Sequence, residues 1–362
     1  MVKILHAADF HLDSAFGSLP EEKARQRRRE SRETVERLVD FANEQGVELL
    51  LLAGDLFDSD RLYGETGEQL CRALKSFGGQ TIIAPGNHDW YTARGAYARL
   101  PWPENVHLFT GSSLEKVTFP HLQCTVYGAA FTSPEEPDDT VLDGFAAADD
   151  GFAHLMVLHG DLGAVNSLYR PLSREKVAAV GIDYLALGHV HQYSGLQRCG
   201  NTVCAYPGCL EGRGFDECGD KGFLLGTVSP GRVELRFVPF ARHRYQILEA
   251  DVSETPALET LERILPPDTA EDIYRIVLTG ETEEELSVPA LSAALEGRFY
   301  ALELRDHTRI KQDIWSGAGE DSLRGLFLKE LRVQYESAPR EEQPQIEKAV
   351  RFGLAAMDRR DM

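Results

Sequence analysis

The chain has 362 residues and a formal net charge of −20, with 43% hydrophobic and 27% charged residues. That length leaves room for about two domains around a buried core, and the composition is globular rather than fibrous or low-complexity. So acidic a chain is excluded from the class that grips nucleic acid mainly through its own basic surface. It stays compatible with metal ions or a cationic partner meeting the phosphates locally.

No run of about 18 apolar residues occurs, so neither a membrane-spanning helix nor a membrane partner is expected. The start of the chain reaches an acidic residue, Asp9, too soon for a secretory leader, and the expectation is a cytoplasmic protein. Such a protein needs no disulfides. Of its six cysteines, Cys71, Cys124, Cys199, Cys204, Cys209 and Cys218, the last four crowd together without a C-x-x-C pair. Free thiols in buried strands and turns are therefore expected, rather than a zinc or iron–sulfur site.

Val2 to Ala8 is nearly all apolar, as in a strand buried on both faces, and it ends in Asp9-Phe10-His11. If the extended conformation persists, residues two apart point the same way, and Asp9 and His11 would both project from the end of this strand. Ser18-Leu19-Pro20-Glu21 predicts a helix start, with Ser18 as the cap, and the helix runs to Asn43 or Glu44. Its Arg-rich first half, Lys23 to Arg32, is expected to be a solvated face of mixed charge. Val35, Leu38, Val39 and Ala42 form the stripe that packs on a sheet.

A second buried strand, Val47 to Ala53, ends in Gly54-Asp55, and a helix spans Thr66 to Phe77. A third strand, Gln80 to Ala84, ends in Pro85-Gly86-Asn87-His88-Asp89. This β-α-β-α-β order predicts a parallel sheet, whose ligands gather beyond the carboxyl ends of the strands. Short strands follow at 106–109, 115–119 and 122–127, then an acidic loop at 133–139. The strand at 152–158 stops at His159, and the strand at 183–187 stops at Gly188-His189-Val190-His191, with a short helix at 173–180 between them. Further strands are expected at 193–196, 202–205, 222–228 and 232–238. These elements predict two packed sheets with helices outside.

A small α/β module follows, with helices at 258–264 and 288–295 and strands at 273–279 and 299–305, and then a helical tail. The expected division is 1–245, 246–320 and 321–362.

Five strand ends thus carry Asp9-x-His11, Asp55, Asn87-His88-Asp89, His159 and His189-x-His191. Any one of them could be a capping Asp or a satisfied surface His. Five together suit a pair of divalent ions about 3.5–4 Å apart, which polarise phosphoryl oxygens and make hydroxide available near neutral pH. Carboxylates and imidazoles without thiolate favour Mn²⁺, with Fe²⁺ or Zn²⁺ as alternatives. Asp55 is the candidate bridging carboxylate. His88, beside a ligand, is the candidate proton donor to the leaving oxygen, and Asp89 the group that orients or charges it.

This ordered set resembles the calcineurin-like metallophosphoesterases over residues 1 to 240. Leu5 to Asp13, Gly54 to Asp58 and Tyr206-Pro207-Gly208 are similar to the bacterial SbcD-type DNA repair exonucleases, and Glu211 to Glu217 to their YhaO-like branch. Cys209 departs from the small hydroxyl residue expected there. The resemblance implies an α/β, two-sheet sandwich flanked by helices, with a smaller α/β capping domain and a helical C-terminal segment. It implies that Asp9, His11, Asp55 and His191 hold one ion, that Asp55, Asn87, His159 and His189 hold the other, and that His88 serves the transition state. It further implies a DNA exonuclease or endonuclease, an SMC-like coiled-coil ATPase partner bound through the C-terminal segment, and a homodimer. The alternative is a stand-alone hydrolase of small phosphodiesters or nucleotides, which the acidic net charge favours.

Overall fold

The structure, a computed structural model, describes residues 1–59, 63–311 and 313–357. The end of the expected helical tail, 358–362, lies outside them. In chain order the elements are β1 (Val2–Ala7), α1 (Glu21–Glu44), β2 (Leu49–Leu52), α2 (Gly64–Lys75), β3 (Gln80–Ile83), α3 (Ala96–Arg99), β4 (Val106–Leu108), β5 (Glu115–Phe119) and β6 (Cys124–Gly128). There follow β7 (Ala153–His159), β8 (Asp161–Leu162), β9 (Pro171–Leu172), α4 (Arg174–Ala179), β10 (Tyr184–Gly188), β11 (Gln197–Cys199), β12 (Thr202–Ala205), β13 (Gly222–Ser229), β14 (Arg232–Pro239) and β15 (Tyr245–Asp251). The last are α5 (Ala257–Ile264), β16 (Ile273–Thr279), β17 (Glu281–Thr282), α6 (Val288–Ala294), β18 (Ala301–Asp306), β19 (Arg309–Ile310), α7 (Leu323–Ser337) and α8 (Gln343–Met357).

Two six-stranded sheets carry the fold, in the orders β14-β13-β1-β2-β3-β4 and β11-β12-β10-β7-β6-β5. β1 to β4 run parallel, as the β-α-β-α-β reading requires, and β13 closes the first sheet antiparallel to β1. In the second sheet β6, β7, β10 and β12 are parallel. Alternation along each strand sorts the apolar side chains onto two faces. On β1, β2 and β3, Ile4, Leu51 and Ile82 meet Leu155, Val157 and Ala186 from the second sheet. On the opposite face, Leu5, Leu50 and Ile83 pack against Val35, Leu38 and Leu74 of α1 and α2. The outer face of the second sheet is covered around Val177 of α4 by Leu142, Val180 and Ile182. The mixed α/β, two-sheet architecture with helices outside is the one expected.

Two of the polar exceptions in this core, His6 and Arg27, pair across the fold. His6 on β1 bonds through Nδ1 to the Tyr184 hydroxyl on β10, 2.7 Å away, and so ties sheet to sheet. The Arg-rich run of α1 divides by face. Arg25 and Arg29 are exposed and pair with Glu21 and Glu33. Arg27, by contrast, is fully buried and donates to Glu211 at 3.0 Å, so the expectation of a wholly solvated face is corrected. Two smaller expectations also change. Pro20, not Ser18, stands at the helix start, without a side-chain cap. Residues 193–196 form no strand, because Gly195 adopts φ 71° and Ser194 turns back to bond Tyr206.

By contacts the chain forms two compact units. One comprises Met1–Leu248, Leu265–Ile276 and Leu295–Leu304; the other comprises Glu249–Ile264, Val277–Ala294 and the described residues from Arg305 onward. Within the second, α7 and α8 pack together closely enough that a Cβ at Gly353 would fall 2.2 Å from the Phe327 ring. Among the described residues no helix is long and apolar enough to cross a membrane.

Leu51 lies wholly buried between the sheets, and Leu51→Ala should lower the unfolding free energy in urea by about 2–5 kcal/mol. Burial holds the His6 imidazole down at about 3, against an ordinary value of 6.5. His6 therefore stays neutral in the fold, while the unfolded chain takes up a proton below about 6.5. The stability this confers is fully present above that pH and drains away as the pH falls toward about 3, at no more than about 1.4 kcal/mol per pH unit. Urea midpoints measured between pH 7 and 4.5 should decline less steeply for His6→Gln than for the unaltered chain.

Candidate metal centre

The carboxyl ends of β1, β2 and β3 in one sheet and of β7 and β10 in the other open onto the same place. The loops there are sewn together: Asp9 N–H donates to the Gly54 carbonyl at 3.0 Å and His11 N–H to the Asp55 carbonyl at 2.9 Å. Asp9, His11, Asp55 and His189 all have left-handed backbone, with φ of 53°, 43°, 50° and 109°. Such conformations cost free energy in non-glycine residues and collect at functional sites. Two glycines permit the close approach. A Cβ at Gly86 would lie 2.2 Å from Asp55 Oδ1, and one at Gly188 would lie 1.7 Å from the Ala53 carbonyl oxygen.

All seven expected ligand residues gather here. His11 Nε2 and His191 Nε2 stand 3.1 Å apart. Asp55 Oδ2 lies 3.3 Å from His159 Nε2 and 3.7 Å from His11 Nε2, between the two rings. Asn87 Oδ1 is 2.9 Å from His159 Nε2. Asp9 accepts the His189 backbone N–H at 3.0 Å, and its Oδ1 is 3.9 Å from His159 Nδ1. The His189 ring packs 5.2 Å from that of His159, and its Nε2 is 3.5 Å from Asp161. Ligand atoms of Asp9, His11 and His191 fit within the span of one ion, as do those of Asp9, Asp55 and His159. Ligand atoms of His11, Asp58 and His88 form a third such group. Asp9 belongs to the first two triads, and Asp55 reaches a histidine of each of those.

The electrostatics call for positive charge. Burial pushes the Asp9 carboxyl up to about 6. Burial acts the same way on Asp55, but His159, His11 and His88 together outweigh it and hold that carboxyl well below the usual range. Burial opposes a charge on His159 too, yet the facing Asp55 and Asp9 raise its affinity for a proton. Burial holds His11 and His189 down at about 4. His159 Nδ1 is 2.9 Å from the Ala53 carbonyl; a ring carrying its single proton there would turn Nε2, as an acceptor, toward two further acceptors, Asn87 Oδ1 and Asp55 Oδ2, and the raised proton affinity of the ring reflects the same demand for a cation at Nε2. A divalent cation resolves that conflict, and oxygen and imidazole donors suit Mn²⁺, Fe²⁺ or Zn²⁺. The residues therefore fit a metal pair. Ions bound there supply Lewis-acid polarisation of a phosphoryl oxygen and a nucleophile at neutral pH.

His88 lies at the exposed side, its ring 4.8 Å from that of His11 and its Nδ1 3.3 Å from the Asp58 carbonyl. Its backbone N–H donates to Asp55 Oδ1 at 2.9 Å. Asp89 does not meet the expectation of orienting this imidazole. It is buried, and its oxygens accept from Gly86 N–H (2.8 Å), Phe57 N–H (3.1 Å) and the Tyr97 hydroxyl (2.6 Å). Those bonds pin the β3 loop to the β2 loop. Three residues beside the ligands had been given no role from the sequence: Asp58, Arg213 and Glu217. Glu217 Oε1 is 2.7 Å from His191 Nδ1. Burial would raise its carboxyl, but His191 and Arg213 hold it well below the usual range. The cysteines are free thiols, and Cys199 and Cys204 approach no closer than 3.8 Å.

Residues 2–193 match the family described as Calcineurin-like phosphoesterase. The chain belongs to that family. It is thus a metallophosphoesterase, of a family that works with a dinuclear metal centre. It is 28% identical over 301 residues to the "Uncharacterized metallophosphoesterase YhaO" of Bacillus subtilis (strain 168), covering 78% of this chain and 72% of the relative. It is 25% identical over 351 residues to the "DNA double-strand break repair protein Mre11" of Methanopyrus kandleri, covering 90% of this chain and 75% of the relative. These relatives support the repair-nuclease branch.

Asp55 faces histidines of both triads that include Asp9, so Asp55→Ala should weaken divalent-ion binding by more than about 100-fold, beyond what loss of an outer hydrogen-bond partner costs. Calorimetric titration with Mn²⁺ would measure it, with far-ultraviolet circular dichroism unchanged.

Proposed function

We propose that this phosphoesterase is a Mn²⁺-dependent nuclease that hydrolyses DNA phosphodiester bonds in repair. The observation that carries the reading is the convergence of Asp9, His11, Asp55, Asn87, His159, His189 and His191 beside an exposed His88, in a chain whose relative with a double-strand break repair name spans nine-tenths of it. On this reading the resemblance's two ligand sets, sharing Asp55, hold the two ions. His88, which groups with His11 and Asp58 rather than with Asp9, and whose Nδ1 is turned to the Asp58 carbonyl, keeps Nε2 for the leaving oxygen, as a general acid does. Asp89 holds the loop that carries it.

The partner is a coiled-coil ATPase of the SMC type, bound through the C-terminal segment. Leu323, Leu326 and Val333 on α7 and Phe352 on α8 are exposed and offer an apolar face for it. That partner would supply the cationic DNA track that a chain of net charge −20 lacks. Six free thiols support a cytoplasmic setting. The net charge favours a second reading, a stand-alone hydrolase of small phosphodiesters or nucleotides.

The deciding assay presents the pure chain, with Mn²⁺, to linear duplex DNA, single-stranded DNA and cyclic nucleotides in parallel. DNA cleavage is expected, and turnover of cyclic nucleotides alone would replace the nuclease reading with the second one. His88→Ala should bind both ions as before and lose about 10²–10⁴ in kcat; an unchanged rate would remove His88 from the chemistry. Without its partner the chain should bind duplex DNA weakly, the affinity falling steeply between 50 and 200 mM salt, as phosphate-dominated binding does over roughly that range. Fluorescence anisotropy across a salt series checks this.

A further inference from the structure

The segment Glu211 to Glu217 marked the branch in the sequence but has no part in the chemistry above. Its first residue is anchored in the core: Glu211 accepts from Arg27 at 3.0 Å, from the Thr34 hydroxyl at 2.9 Å and from Arg242 N–H at 3.0 Å. Its last residue, the buried Glu217, meets His191. Between them, Arg213 Nη1 donates to Asp58 Oδ1 at 3.1 Å and Nη2 to Glu217 Oε1 at 2.7 Å, while Arg213 N–H donates to Glu217 Oε2 at 2.8 Å. One guanidinium thus joins two carboxylates, one from the β2 loop and one from this segment.

Each carboxylate faces the outer nitrogen of a different histidine. Glu217 Oε1 is 2.7 Å from His191 Nδ1, and Asp58 Oδ1 is 3.2 Å from His11 Nδ1, a buried atom with no assigned hydrogen bond. The inner nitrogens of the same two rings converge to 3.1 Å. A carboxylate beside each Nδ1 keeps the proton there and leaves both Nε2 lone pairs for one cation. Arg213 Nη2 also lies 3.0 Å from His191 Nδ1. If Nδ1 accepted from it, the ring proton would sit on Nε2, pointing at His11, and the shorter carboxylate contact would be lost. His159 has a neutral outer partner, the Ala53 carbonyl.

We infer that Asp58, Arg213 and Glu217 form a positioning frame that fixes the tautomers of His11 and His191, and so sets the affinity of one divalent ion independently of the second. The inference rests on the two-ion reading. It also gives Arg213 and Glu217 a purpose that their distance in sequence from every ligand motif conceals.

Calorimetric titration with Mn²⁺, followed by electron paramagnetic resonance of the loaded protein, tests it on the full chain. The unaltered chain should take up two ions. Glu217→Gln should weaken one of them by about 10–100-fold and leave the other, and Glu217→Asp should recover part of the loss. Asp58→Asn, at a partly exposed site, should weaken the same ion and serves if Glu217→Gln does not fold. The resonance of an isolated ion should then replace that of a coupled pair. Unchanged affinities would overturn the frame, as would equal weakening of both ions together with a lower melting temperature of the metal-free protein. An unaltered chain that binds fewer than two ions would overturn the two-ion reading first, and the frame with it.

Discussion

Asp9, Asp55, Asn87 and the imidazole nitrogens of His11, His159 and His191 all offer electron pairs to the same few ångströms of buried space. Left to themselves such groups repel, and burial makes each charge more costly. The rest of the structure is what holds them together. Parallel strands from two sheets aim them at one edge, and loop-to-loop backbone hydrogen bonds fix the turns. Left-handed backbone at Asp9, His11 and Asp55, and at the neighbouring His189, supplies directions that extended chain cannot reach. A divalent cation is the natural counterpart of this arrangement, and the phosphoester chemistry of the family follows from it.

The polar groups around this cluster divide the work. The Asp89 carboxylate spends its acceptors on Gly86, Phe57 and Tyr97, and so fixes the loop on which Asn87 and His88 stand. Glu217 and Asp58 face ring nitrogens of His191 and His11. Hydrogen bonds to ionised groups are the stronger kind, and the Glu217–His191 bond is placed where a small rotation of the imidazole would misdirect a lone pair. The strongly negative chain as a whole does not contradict work on a phosphate backbone, because the local demand of this site is for cations.

Much of this was legible in the sequence, for a physical reason. A strand buried on both faces reads as an apolar run, and a ligand set at its end interrupts that run with Asp, Asn or His beside a Gly. Asp55, Asn87, His159 and His189 all announce themselves in that way, and Asp9 ends its apolar run without the Gly. What was not legible depends on contacts between distant positions. Glu217 meets His191 across 26 residues with no periodicity to link them. Arg27 sits in an arginine-rich run that looks solvated, and only the position of Glu211, 184 residues on, makes it interior. Asp89 adjoins His88 in sequence, but a tight turn sends neighbouring side chains in different directions, so adjacency misled.

The two sheets share the ligands unequally along the chain. Asp9, His11, Asp55 and Asn87 all precede the exposed stretch 148–151, and His159, His189 and His191 all follow it. A chain opened in that stretch would yield one fragment holding most of the carboxylate and amide donors and another holding three imidazoles. The second fragment would also carry β13 and β14, which the first sheet needs at its edge. Neither piece could turn over a phosphoester, and neither could finish its own sheet. Recovery of activity on mixing would therefore report reassembly of the whole fold, which makes this centre a built-in sensor of whether the two halves have found each other.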